Sequence, residues 1–206
     1  MATTSAARRL PRLLVLAGLA GAALGCAKHV TRIDPRSVTD LSGRWNDTDS
    51  RLVANALIQQ TLAGAWVREY SSAHGGETPT VIVGAVRNGT MEHIPVQTFV
   101  RELENALVNS GTVRVVASAA ERQEVRAERT DQQEQARADT RTKLTQEQGA
   151  RYMLQGDIQS IEDEEGREKV VYYQIDATLI DLESNAKVWV GQHRIKKYIE
   201  RPRLRF

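Results

Sequence analysis

The sequence predicts an α/β fold of the mixed α+β kind, in which helices flank a small mixed sheet. Three patterns support it: an apolar run at 81–86, an amphipathic segment at 95–110 and alternating segments in the last third of the chain. A continuous apolar run is typical of a buried parallel strand, whereas alternation is typical of an antiparallel sheet covered on one face. Both kinds of strand in one chain indicate a mixed sheet.

The first 25 residues are predicted to be a lipoprotein signal peptide. Arg8, Arg9 and Arg12 precede an apolar run at 13–24 that is shorter than the roughly 20 residues needed to span a bilayer. The following Ala23-Leu24-Gly25-Cys26 resembles the bacterial lipobox, in which the cysteine thiol is acylated and the chain is cut before it. We therefore predict lipidation of Cys26. A signal peptide with a chance cysteine is the alternative.

Composition narrows the class of protein further. The signal peptide contains three arginines, and without it the chain has 181 residues, with 25 basic and 26 acidic side chains. The basic isoelectric point of the whole sequence therefore gives no argument that the protein binds nucleic acid. Lipidation of the only cysteine leaves no thiol for a disulfide. The residue after it is Ala27, and the absence of aspartate there favours the outer membrane, with the domain facing the periplasm.

The first folded element is expected to be a helix. Residues 26–44 comprise the lipidated cysteine and a polar stretch without periodicity, which predicts a flexible tether. Asp47, Thr48 and Asp49 favour helix caps, and apolar residues then recur on one side as far as Val67. The polar stretch 71–79 is expected to end this helix.

A strand, a helix and a second strand follow. The run at 81–86 predicts a strand buried on both faces. Pro95 opens a helix with apolar residues at i, i+3, i+4, i+7 and i+11, and Gly111 is its expected stop. Residues 112–117 (TVRVVA) predict the second strand, and this order suggests a right-handed crossover.

The charged segment 121–148 predicts an exposed helix with a mobile stretch, and a binding element is the alternative. After it, Tyr152 to Gln159 and Val171 to Leu179 alternate apolar with polar residues, and Lys187 to Lys197 supplies a third strand. Turns are expected at 162–168 and 183–186. This is the pattern of an antiparallel meander with one apolar and one polar face. The basic residues 201–206 are expected to form a loose tail, so the single globular domain is predicted to span 45–200.

No pattern indicates catalysis, a metal or a cofactor. The chain lacks the glycine-rich phosphate loops and the GxSxG nucleophile motif. Its histidines (His29, His74, His93, His193) have no metal-ligand spacing. The acidic residues 162–165 lack the spacing of a calcium loop and are expected to be solvated at a hairpin tip. We predict a protein that is not an enzyme.

Several segments resemble one family. The first group consists of Trp45-Asn46-Asp47-Thr48-Asp49-Ser50, Val86-Arg87-Asn88-Gly89-Thr90 with Glu92-His93-Ile94, and Leu107-Val108-Asn109-Ser110-Gly111. The second group consists of residues 149–156 (GARYMLQG) and Val188-Trp189. Together they resemble the LpoB family, the outer-membrane lipoprotein activators of penicillin-binding proteins. The resemblance implies a fold similar to the N-terminal domain of TolB. The best-known members carry a long proline-rich tether, whereas residues 27–44 reach at most about 60 Å.

The resemblance implies a non-catalytic function. Such a lipoprotein docks on a regulatory domain of a bifunctional class A penicillin-binding protein and stimulates glycan polymerisation and crosslinking, which is allostery. We expect a monomer that binds no nucleic acid. The candidate partner-binding residues are the polar sheet face and exposed basic positions, namely Tyr172, Gln174, Thr178, Arg87, Arg114, Lys196 and Lys197. The alternatives are a secretion component related to curli export and a periplasmic hydrolase.

Overall fold

A computed structural model describes residues 29–143 and 146–201. The predictions for the signal peptide 1–25, for Cys26 and for tail residues 202–206 lie outside these ranges. Residues 29–37 form no helix or strand, and Ser37 N donates to Asp34 O within them (2.9 Å). A second, packed unit begins at Val38 and therefore includes the end of the expected tether.

Four helices lie in the described ranges: α1 (Asp47–Ala63), α2 (Ala65–Ala73), α3 (Val96–Ser110) and α4 (Ala119–Gln135). A capping box starts α1, because the Asn46 side chain accepts from Asp49 N while the Asp49 carboxylate accepts from Asn46 N. Gly111, with φ 64°, closes α3 in the left-handed conformation that favours glycine.

Five strands form one mixed sheet in the order β2-β1-β3-β4-β5. They are β1 (Thr80–Asn88), β2 (Arg114–Val115), β3 (Tyr152–Glu165), β4 (Glu168–Asp181) and β5 (Lys187–Glu200). β1 runs parallel to β2 and β3, whereas β4 is antiparallel to β3 and to β5. The predicted fold class, a mixed sheet flanked by helices, is confirmed.

The core lies between one sheet face and the helices α1 and α3. Alternate residues of β4, from Val171 to Leu179, are almost fully buried on this face. Phe99 and Leu107 of α3 and Val53 and Leu57 of α1 cover them. The predicted amphipathic helix and the meander with one apolar face are both observed.

Four details differ from the predictions. The first helix breaks at Gly64, where Thr61 O accepts from both Gly64 N and the Trp66 indole, so 65–73 is a separate helix. The second strand has only two residues instead of the predicted 112–117, because β2 pairs with β1 only at Thr80 and Val81. β1 is buried on one face rather than two, and Ala85 is exposed.

The fourth difference is the β3–β4 hairpin. Residues 162–165 and 168, expected in a turn, belong to the strands, which continue in register to the pair Glu165–Glu168. Gly166, with φ 62°, permits the tight turn at 166–167. Lys169 pairs with Glu162 at 2.5 Å, and this offsets charge that would otherwise repel across the hairpin.

Helix α4 is exposed, as predicted, and contains no buried residue. Its own capping box joins Ser118 to Glu121. Arg101 of α3 pairs with Glu121 at 2.7 Å, and this contact, followed by the hydrogen bonds from Ser118, lowers the pKa of Glu121 to about 2. Ion pairs and a cap therefore hold α4, while apolar burial contributes little.

Candidate protein-interaction surface

The sheet face opposite the core is the candidate site, and we call it the open face. It is formed by alternate residues of β3, β4 and β5, together with Arg87 of β1. The strand register places these side chains in cross-strand rows: Gln155–Thr178–Val190, Arg87–Asp157–Asp176–Gln192, Gln159–Gln174–Arg194, Ile161–Tyr172–Lys196 and Asp163–Val170–Tyr198. Because neither α1 nor α3 covers it, the open face is available to another molecule.

Hydrogen bonds order the centre of the open face. Arg87 Nε and Nη2 donate to the two carboxylate oxygens of Asp157 at 2.8 and 3.3 Å, and this contact raises the pKa of Arg87. The Asp176 carboxylate accepts from Gln174 (2.9 Å) and from Gln192 (2.7 Å). Both carboxylates therefore have hydrogen-bond partners on the open face, and its centre is a hydrogen-bonded polar platform.

Apolar and aromatic groups flank that platform. Ile161 is 68% exposed, Val190 65% and Tyr198 61%. The Tyr198 hydroxyl donates to Glu168 at 2.8 Å, which raises the pKa of the phenol. Exposed aromatic and aliphatic side chains beside ordered polar groups are typical of protein-binding surfaces.

Five of the seven candidate residues meet on the open face: Arg87, Tyr172, Gln174, Thr178 and Lys196. Tyr172 and Gln174 are half-buried and joined by a hydrogen bond of 3.4 Å, whereas Lys196 is exposed. Arg114 is exposed too, but it lies on β2 at the far side of the sheet from β5 and donates to Gln148. Arg114 is therefore separate from the other five.

Lys197 does not lie on this surface, and the expectation that it is exposed is wrong. Its side chain is 12% exposed and points to the helix-covered face, because neighbours on a strand alternate between faces. Lys197 Nζ donates to Asp49 at 2.6 Å, to Asp40 at 2.9 Å and to Arg44 O at 3.1 Å. Burial alone would lower the pKa of Lys197, but the bonds to Asp49 and Asp40 raise it.

The residues of the Trp45–Ser50 motif have structural contacts. The Trp45 indole packs edge-on against Phe99 and Tyr173 and donates to Ser50 Oγ (2.8 Å). Glu92 accepts from Trp45 N and from the Tyr173 hydroxyl at 3.0 and 2.6 Å. Burial, followed by the hydrogen bond to Glu92, raises the pKa of Tyr173. The motif thus fixes the start of α1 to the sheet.

Sequence reasoning missed several residues of the open face, notably Tyr198, Val190, Ile161 and Arg194. The signal was available in β5, where alternation continues beyond Lys197 and places Tyr198 and Val190 in phase with Lys196. For Asp157 and Asp176 the polar residue type gave no hint that they lie side by side.

Within 29–143 and 146–201, no three His, Cys, Asp or Glu side chains converge on a possible metal site. In the same ranges no helix is long and apolar enough to cross a membrane. The described ranges form an α+β protein with a mixed sheet, whose open face lies opposite the core.

The chain belongs to the LpoB family. The family model described as "Peptidoglycan-synthase activator LpoB" matches residues 49–195, from the first turn of α1 into β5. This match confirms the family suggested by the sequence motifs. A search of curated proteins gave no match.

Solved structures with some similarity include LpoB domains. The C-terminal domain of LpoB from Salmonella enterica is 18% identical over 64% of this chain and 93% of that one, with a TM-score of 0.32. The corresponding domain from Escherichia coli is 14% identical over 64% and 95%, with a TM-score of 0.36. Lipoprotein GNA1162 from Neisseria meningitidis is 17% identical over 58% and 83%, also with a TM-score of 0.36.

Proposed function

We propose that this chain is a non-catalytic outer-membrane lipoprotein that binds and allosterically activates a bifunctional class A penicillin-binding protein. The observation that carries the proposal is the family match over residues 49–195, whose description names a peptidoglycan-synthase activator. Acyl chains on Cys26 anchor the protein to the outer membrane, and the packed unit from Val38 faces the periplasm.

The open face supports this proposal because it supplies a docking surface. Tyr172 and Tyr198 provide aromatic area, and Arg194 and Lys196 provide positive charge beside the ordered centre. Tyrosine and arginine are enriched among the residues that dominate binding energy. To activate, the lipoprotein binds the active state of the synthase more tightly than the resting state.

The test is a glycan-polymerisation assay. The full chain, kept in detergent, is added to each class A synthase of the source organism, and the rate is compared with that of the synthase alone. We expect one synthase to be accelerated. Tyr172→Ala should weaken its binding about tenfold or more, as for the loss of an aromatic anchor.

Val108→Ser is the matched control, since Val108 is an exposed apolar residue on α3, remote from the open face. This variant should stimulate like the wild type. If no synthase is accelerated or bound, the proposed function is wrong. If Val108→Ser and Tyr172→Ala weaken binding equally, the synthase contacts a surface other than the open face.

A further inference from the structure

The outer edge of β5 is the longest unpaired feature of the described sheet. β5 is the last strand of the sheet and runs from Lys187 to Glu200. Its pairing with β4 is irregular only near Leu179 and Ile180, so residues 189–200 stay in one register. At about 3.4 Å per residue, the stretch 190–200 is about 34 Å long.

Which backbone groups face outward follows from one hydrogen bond. Arg201 N donates to Arg167 O at 3.0 Å, so the odd-numbered residues direct their backbone groups to β4. In an antiparallel pair these groups alternate between the two sides of a strand. The even-numbered residues 190 to 200 therefore present their N–H and C=O groups to the free edge. Gln60 Nε2 contacts one of them, Gln192 O, at 3.4 Å.

This edge lacks several devices that protect natural edges, although it carries the charged side chains of Arg194 and Lys196. Residues 189–200 contain no proline and no bulge, and the stretch is long. Long, regular edges of this kind are templates for the addition of a further strand. The same even-numbered residues carry their side chains on the open face, so an added strand would contact both backbone and side chains.

The charge of the β5 edge determines which kind of strand can pair with it. Arg194 and Lys196 are exposed, and neither forms an ion pair within the described ranges. If two copies of this chain paired in full antiparallel overlap, Arg194 of each would lie opposite Lys196 of the other. Like charges directly opposite are destabilising. An acidic strand has no such repulsion and neutralises both cations.

We propose that the free edge of β5 binds an extended acidic segment of the partner by strand addition. The segment places acidic side chains beside Arg194 and Lys196 and an aliphatic side chain beside Val190. This inference rests on the proposed function, since the segment belongs to the activated synthase. Backbone hydrogen bonds supply affinity, and the alternating side chains supply selectivity.

Hydrogen exchange of single backbone amides tests the proposal in the unmodified protein. The full chain, labelled with ¹⁵N, is compared free and bound to the synthase that it stimulates. We expect exchange at the outward amides of Gln192, Arg194, Lys196 and Tyr198 to slow about tenfold or more on binding. The inward amides of the odd-numbered residues are already paired with β4 and should change little. Unchanged outward amides in a stimulated complex overturn this inference alone.

A pair of substitutions gives an independent readout. Val190→Pro removes one outward N–H and is compatible with an edge strand, while Val190→Thr keeps the N–H and the β-branched shape. Binding to the synthase should fall about tenfold with proline and stay within about twofold with threonine. Equal affinities of the two variants overturn strand addition. If the wild type binds no class A synthase, the proposed function fails and this inference fails with it.

Discussion

Lys196 and Lys197 are neighbours in the chain, yet their ammonium groups have opposite surroundings. Lys196 is exposed on the open face, whereas Lys197 Nζ lies between the carboxylates of Asp49 and Asp40. Asp49 is itself buried at the start of α1. Removing the Lys197 charge therefore leaves a carboxylate without its cation in a place where water cannot replace it.

We predict that Lys197→Met destabilises the fold and that Lys196→Met does not. Breaking a buried ion pair by removing one partner costs about 3 kcal/mol, whereas an exposed lysine contributes less than about 0.5 kcal/mol. Urea denaturation of both variants measures the difference. Equal free energies of unfolding for the two variants would show that Lys197 is no more important than a surface lysine.

The same ion cluster predicts a pH dependence. The pKa of Lys197 is raised above its ordinary 10.5 in the folded protein. The folded state therefore binds this proton more tightly than the unfolded state, so the stabilisation is complete below the unfolded pKa and is lost as pH rises through the folded pKa. Lys196→Met should thus keep its full advantage over Lys197→Met at about pH 8 and lose it progressively as the pH rises above the ordinary lysine pKa of 10.5. A constant difference in denaturation midpoint would contradict this origin.

Helices α1 and α4 start with the same kind of capping box but differ in burial. The residues of α1 include eight that are buried, among them Val53 and Leu57, while α4 has none. The cooperative unfolding of the domain therefore includes α1, whereas α4 can open locally without exposing the core.

We predict different consequences when each cap is removed. Asn46→Ala should lower the global free energy of unfolding by about 1 kcal/mol, the usual value of an N-cap. Ser118→Ala should leave the global value unchanged and accelerate amide exchange within 119–135. Denaturation and hydrogen exchange on both variants measure this. A global loss with Ser118→Ala would mean that α4 is part of the cooperative core.

At the scale of helices and strands, the sequence predicts the features that follow from the spacing of apolar residues. The alternation in β4 correctly predicted that every second residue from Val171 to Leu179 is buried, since the side chains of a strand alternate with a period of two. It did not predict the break at Gly64, because that depends on Trp66 finding Thr61 O. The expectation that Lys197 is exposed was wrong for a simpler reason: consecutive strand residues point to opposite faces, and Lys196 occupies the exposed one.

At the scale of the whole molecule, the proposed lipid anchor at Cys26 and the proposed docking surface lie in different parts of the sequence. We predict that Cys26→Ala abolishes attachment of acyl chains, because the thiol that would carry them is absent. Stimulation of the purified synthase should be retained. Incorporation of labelled palmitate measures the first effect, and the polymerisation assay measures the second. Loss of stimulation in solution would show that the anchor takes part in docking.

The connection between these parts limits how far the docking surface reaches. Lys197 pairs with Asp40 within the packed unit, so the chain between Cys26 and Asp40 spans at most about 50 Å. Deleting residues 30–37 shortens this limit by about 27 Å. Because the shortened protein cannot bring the open face equally far from the membrane, we expect crosslinking of the cell wall to fall in cells that carry it as their only copy.

Purified protein separates reach from folding. The chain without residues 30–37 should stimulate the synthase in solution as well as the wild type, since no residue of the open face is changed. Replacing 30–37 by eight Gly and Ser residues should restore crosslinking in cells, because the contour length is the same. If the deletion is fully active in cells, the synthase approaches the membrane closely enough that reach is not limiting. If the Gly/Ser replacement fails like the deletion, the sequence of 30–37 matters and its length alone does not explain the loss.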